Sequence, residues 1–126
     1  MFFPIFSLIF SVFSLFFLAI IVKKYPKQYK IITISGYNNV QRLKNIIDEF
    51  GPKFVACKDL DTMNILKNEY PEVEFGYGEE GLVQAATYNQ YDETGYLLNA
   101  LVGSSGLIPT IEAIKINRNI LLANKE

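Results

Sequence analysis

Four short stretches of this chain are apolar at consecutive rather than alternate positions: IITI, FVAC, LLNALV and ILLA. A strand with one wet face alternates apolar and polar residues, whereas a strand covered on both faces does not. Between the stretches the apolar residues fall at helical spacing, as in Val40, Leu43, Ile46, Ile47 and Phe50. Leu60, Met63, Ile65, Leu66 and Tyr70 repeat the pattern. Short buried strands separated by amphipathic helices define an α/β chain with a parallel sheet and helices on both faces. With 126 residues there is room for one such domain.

The boundaries follow from turn chemistry. Tyr29–Ser35 is a β-branched strand. Gly36 to Asn39 is a turn, with Asn38 or Asn39 as helix N-cap, and Gly51-Pro52 stops the helix. Lys53–Cys57 is the second strand, and Asp59 or Asp61 caps the helix that Pro71 ends. Val73–Tyr77 is a short strand, Glu79–Tyr88 a short helix and Asn89–Thr94 a polar connection. A strand over Tyr96–Val102, the turn Gly103–Gly106, a helix over Leu107–Asn117 and a strand over Asn119–Ala123 complete the pattern. In that helix Ile111, Ile114 and the stem of Lys115 are expected to face the sheet. The count is five strands and four helices, a Rossmann-like layer sandwich.

The first 22 residues do not fit this plan. Met1–Val22 carries no charged side chain and exceeds the roughly 18 residues that make a transmembrane candidate. Lys23, Lys24, Lys27 and Lys30 follow it, which would place that side in the cytoplasm. A cleaved signal peptide lacks its basic start and its small-residue cleavage site. The expectation is an apolar helix over 1–22 followed by a domain over 23–126.

Composition removes several functions. The chain has no histidine and one cysteine, Cys57. A disulfide within the chain is excluded, and a His- or Cys-ligated metal site is not expected. The formal net charge is −1 and no basic stripe lies outside Lys23–Lys30, so nucleic acid is not an expected partner. The acidic residues between Glu69 and Glu93 read as a solvated face.

In open parallel sheets, ligands sit beyond the C-terminal ends of the strands. Three such ends are rich in polar residues or glycine: Gly36 to Asn39, Gly103 to Gly106, and Asn124 to Glu126. The second leads into a helix N-terminus, whose dipole favours an anion, though a plain glycine turn explains it equally. The first carries no Asp or Glu, the residue that would hold a ribose 2′-hydroxyl. Its absence permits NADP and disfavours NAD.

The stretch from Asn99 to Ile114 (NALVGSSGLIPTIEAI), followed by ILLANKE to Glu126, closely resembles the 1-deoxy-D-xylulose 5-phosphate reductoisomerase family, whose pattern is N-A-[IV]-V-G-[AS]-[AS]-G-L-x-P-T, a helix, then A-L-A-N-K-E. Tyr25-Pro26, Glu49-Phe50, Pro52-Lys53 and Gly78 to Leu82 are similar to it in the right order, so the resemblance runs from about Leu18 to Glu126. It implies an NADPH-binding domain of a metal-dependent oxidoreductase of non-mevalonate isoprenoid synthesis. That enzyme rearranges a sugar phosphate with Mg or Mn and reduces it with NADPH to 2-C-methyl-D-erythritol 4-phosphate, as a cytoplasmic homodimer. Carried over by position, Gly36, Tyr37 and Asn38 or Asn39 would hold the adenosine 2′-phosphate. Asn124 and Glu126 would contact the cofactor, and Lys125 the substrate. Where the family usually has a basic residue, Tyr37 donates one hydrogen bond and no charge.

The family's opening glycine-rich phosphate turn is missing, and the chain stops before its Asp-x-Glu metal ligands. The resemblance therefore implies a fragment with no catalytic or metal residue of its own, inactive alone. A sheet without the family's first strand would lack its centre. The apolar segment would be either a frameshifted start or a genuine anchor. With an anchor, the competing reading is a membrane-tethered, non-catalytic α/β binding module.

Overall fold

The structure, a computed structural model, describes residues 3–8, 19–35, 39–88, 95–100 and 106–122. Six strands form one sheet: β1 (Phe3–Leu8), β2 (Tyr29–Ser35), β3 (Phe54–Cys57), β4 (Glu74–Tyr77), β5 (Tyr96–Asn99) and β6 (Asn119–Leu122). The helices are α1, described over 19–24, α2 (Val40–Phe50), α3 (Leu60–Glu69), α4 (Gly78–Thr87) and α5 (Leu107–Lys115). The strand order is β4-β3-β2-β1-β5-β6, and every pairing is parallel.

Local chemistry sets the boundaries. The Asn39 side chain accepts from the Arg42 N–H at 3.1 Å, so Asn39 is the cap of α2. Gly51 ends that helix in the left-handed region at φ 57°, which glycine enters without a Cβ penalty. Asp59 caps α3, accepting from Thr62 N–H at 2.8 Å. Those hydrogen bonds hold its carboxyl below the usual range. Gly78, at φ 66°, lets β4 run straight into α4 without a loop.

The sheet is covered on both sides. On one face Val22 of α1, Leu43, Ile46 and Ile47 of α2 and Leu66 of α3 pack with Ile31, Val55 and Cys57. On the other, Ala85 and Ala86 of α4 and Ala113 of α5 pack with Ile32, Phe54, Ala56 and Leu97. Successive β3 residues thus serve opposite faces, as the pleat requires. The Thr33 hydroxyl, fully buried, donates to the Ala85 carbonyl at 2.9 Å and ties α4 to β2. Cys57 is buried in β3 and its thiol is pushed up to about 12, first by burial and then by Asp59. It stays protonated and inert at neutral pH.

Several expectations change. Residues 3–8 are a strand, not the start of an apolar helix, and β1 occupies the centre of the sheet between β2 and β5. The sheet has its central strand, and a domain boundary at residue 22 would cut through it. A strand covered on both faces reads as a continuous apolar run, so hydropathy alone does not separate it from a membrane helix. Among the described residues no helix is long and apolar enough to cross a membrane, so a transmembrane anchor has no support.

The strand count rises from five to six. In α5 the expected face is reversed: Ile111, Ile114 and Lys115 are exposed, while Pro109 and Ala113 are buried. Small residues face the sheet because α5 also packs closely against α4. Finally, β6 is not covered on both faces. Leu121 and Leu122 are exposed on β6, which is an edge strand.

Candidate cofactor rim

With all six strands parallel, their C-terminal ends share one rim. The chain builds outward from β1 to β4, then crosses back to lay β5 on the other side of β1. The reversal point therefore lies between β1 and β5, where Leu8 is level with Asn99. A crevice outside the strand ends at such a point is where open α/β sheets take their ligands.

The sequence-derived site residues come directly after two of these strands in the chain. Gly36, Tyr37 and Asn38 follow β2, and Asn124, Lys125 and Glu126 follow β6; all six lie outside the described residues. Asn39 is described, and its side-chain oxygen is occupied in capping α2. The ends of β2 and β6 are three strand spacings apart, about 14 Å at ~4.8 Å each. Such a span suits an extended ligand with two ends rather than a compact one. Gly103 also lies outside the described residues; Gly106, at the other end of that turn, is buried.

Two features of the rim were not singled out from sequence. Asn99, 4% exposed, ends β5 at the reversal point. Its amide donates to Thr110 Oγ1 at 2.8 Å and to the Gly106 carbonyl at 3.3 Å. Asn99 thereby binds the first turn of α5 to the strand end. The visible signal is an asparagine inside the apolar run LLNALV, since a buried amide needs partners. A Cβ on Gly106 would stand 2.5 Å from the Asn99 amide nitrogen and 2.6 Å from its oxygen. We expect Gly106→Ala to displace that side chain and cost about 1–3 kcal/mol of stability. Thermal unfolding of Gly106→Ala, Asn99→Ala and the double variant checks this. Additive losses would show that the two residues are not coupled.

The second is Arg42, in the first turn of α2. Its side chain is exposed and enters no salt bridge among the described residues, whereas Lys44 on the same helix pairs with Glu69 at 3.0 Å. No acidic residue lies in that first turn. Between Glu69 and Glu93 the described acidic residues, Glu69, Glu72, Glu74, Glu79 and Glu80, are exposed. No group of three or more His, Cys, Asp or Glu among the described residues could hold a metal ion.

A parallel sheet with this reversal, its ligand-facing ends on one rim, defines a Rossmann-like domain of the dinucleotide-binding class. The family model for 1-deoxy-D-xylulose 5-phosphate reductoisomerase matches residues 18–126, and the chain belongs to that family. Reductoisomerases of Geobacillus sp. (strain WCH70) and Bacillus subtilis (strain 168) are each 40% identical to it, over 107 and 108 residues. Each comparison covers 84% of this chain and 27% of the relative. The chain thus spans about a quarter of the length of the curated relatives it matches.

Solved structures agree. A DOX-P reductoisomerase in complex with magnesium matches 100% of this chain and 32% of its own, at TM-score 0.84 and 26% identity. One in complex with NADPH, fosmidomycin and magnesium matches 98% of this chain and 30% of its own, at TM-score 0.82 and 28% identity. The match at full coverage takes in residues 3–8, which the family model leaves out.

Proposed function

We propose that this chain is the NADPH-binding part of a 1-deoxy-D-xylulose 5-phosphate reductoisomerase. The observation that carries the reading is the β1/β5 reversal point in a sheet that superposes on a reductoisomerase complexed with NADPH. The residues at the rim fit an anionic dinucleotide. At the β2 end the turn has no carboxylate to repel a 2′-phosphate, and Arg42 stands beside it. Gly36, Tyr37, Asn38 and Asn39 take the adenosine 2′-phosphate end. Asn124 and Glu126 take the cofactor at the other end of the crevice, and Lys125 faces the sugar phosphate. Bound there, NADPH supplies the hydride for the reductive half of the reaction. What this chain's residues contribute is binding and orientation along the rim.

The divalent metal is different. The described residues offer no donor set for it. The sugar-phosphate substrate, the rearrangement, the metal and the homodimer belong to the complete enzyme. This chain spans only a quarter of that length. Alone it is expected to bind NADPH without turning over substrate.

Titrating the purified chain with NADPH, followed by nicotinamide fluorescence, tests the reading. Saturable binding is expected, together with no NADPH oxidation when 1-deoxy-D-xylulose 5-phosphate and Mn²⁺ are added. A chain that binds no NADPH sinks the cofactor assignment. Oxidation coupled to product formation sinks the expectation of inactivity.

A further inference from the structure

We infer that Arg42 supplies the positive charge that selects a 2′-phosphorylated cofactor, in place of the basic side chain that Tyr37 does not provide. The inference rests on the cofactor reading above and adds a residue to it. In Rossmann-like domains the end of the second strand decides between NAD and NADP. A carboxylate there holds the 2′-hydroxyl, and a nearby arginine holds the 2′-phosphate. Here β2 ends at Ser35, and neither a carboxylate nor a cation appears between Gly36 and Val40. Tyrosine and asparagine can donate hydrogen bonds to a phosphate, but they cannot neutralise its charge.

Arg42 is the first cation after the strand. The cap fixes where it stands: its own backbone N–H donates to Asn39, so it lies in the turn of α2 that opens on the rim. Long side chains on a helix lean toward its N-terminus, which here is the side of the strand ends. The guanidinium is free for a ligand, because the side chain is exposed and enters no ion pair among the described residues.

The neighbouring charges leave this assignment standing. On the next strand end, Asp59 directs its carboxylate into its own helix cap, and Asp61 enters no salt bridge with Arg42. Lys44 is held by Glu69, and Lys23 pairs with Glu49. A guanidinium also matches a phosphate geometrically, since two parallel N–H groups can meet two oxygens.

The test compares 2′,5′-ADP with 5′-AMP by calorimetric titration of the full chain, because the pair differs only in the 2′-phosphate. For the wild-type chain, 2′,5′-ADP is expected to bind more tightly. In Arg42→Gln that preference should fall about 10- to 100-fold, the weight of charge-assisted hydrogen bonds. Affinity for 5′-AMP should hold within about twofold, and Arg42→Lys should keep part of the preference. Arg42 is exposed and glutamine is a good helix former, so an unchanged unfolding temperature certifies the fold. A preference for 2′,5′-ADP that survives in Arg42→Gln overturns the inference and leaves the cofactor reading intact. A wild-type chain that binds NADPH but does not prefer 2′,5′-ADP also overturns the inference. A wild-type chain that binds none of the three overturns both.

Discussion

Arg118→Met should destabilise the chain by about 3 kcal/mol, a fall of roughly 10 °C in unfolding temperature for a domain of this size. Arg118 sits just before β6 and is 4% exposed. Its guanidinium donates to the Ala86 carbonyl at 2.7 Å and to the Tyr88 carbonyl at 2.9 Å. Both carbonyls belong to the end of α4, where the last peptide groups lack helical partners. Arg118 therefore closes α4 from a segment thirty residues further on. Burial pushes its pKa down to about 10, so it is still charged at neutral pH.

The sign of that shift matters. A lowered folded-state value means the charge is held at a cost below pH ~10, and that cost is relieved only as pH rises toward the ordinary value. The hydrogen bonds must outweigh it. Methionine removes the cost but leaves two carbonyls without donors, at about 1.5–3 kcal/mol for each charge-assisted bond lost. Arg118→Lys, with one donor head instead of a fork, should lose about half as much. An unfolding temperature unchanged in Arg118→Met would show that α4 does not depend on this contact.

The other large effect lies in α2. Leu43 is fully buried between α2 and the sheet, and Leu43→Ala should cost about 2–5 kcal/mol. Against a total of about 5–15 kcal/mol, this is a large share. Ile111→Ala and Ile114→Ala, on the outward face of α5, should change stability by no more than about 0.5 kcal/mol. Urea unfolding checks both, with the midpoint shifting and the slope unchanged. Equal losses at Leu43 and Ile111 would mean that α5 lies on the sheet by its isoleucine face.

That contrast shows how much the residues alone disclose. For α2 one stripe of large apolar residues has a polar reverse side, so the buried face can be read directly. The turns at Asn39, Gly51 and Asp59 were also legible, because those residues are chemically suited to the conformations they adopt, whereas the left-handed Gly78 between β4 and α4 was not singled out. In α5 apolar residues occupy most of the surface, and the face is chosen by the close approach of α4, which no local pattern reports. β1 was misread for the opposite reason: a central strand and a spanning helix share the same uninterrupted hydrophobicity. At the rim the polar strand ends could be listed from sequence. Arg42 and the Asn99–Thr110 contact could not, because they depend on which turn of a helix opens on which strand end.

The position of β1 also has a consequence in time. Leu8 is paired with Asn99, a residue made 91 positions later. At roughly 5–20 residues per second, a ribosome takes about 5–18 s to deliver that partner. Throughout that interval the side of β1 that pairs with β5 is an open edge. A nascent chain in this state is a natural client for factors that shield hydrophobic segments during translation. Pairings between such distant positions also slow folding, so the yield of folded protein should depend on synthesis rate more than on the stability of the finished sheet.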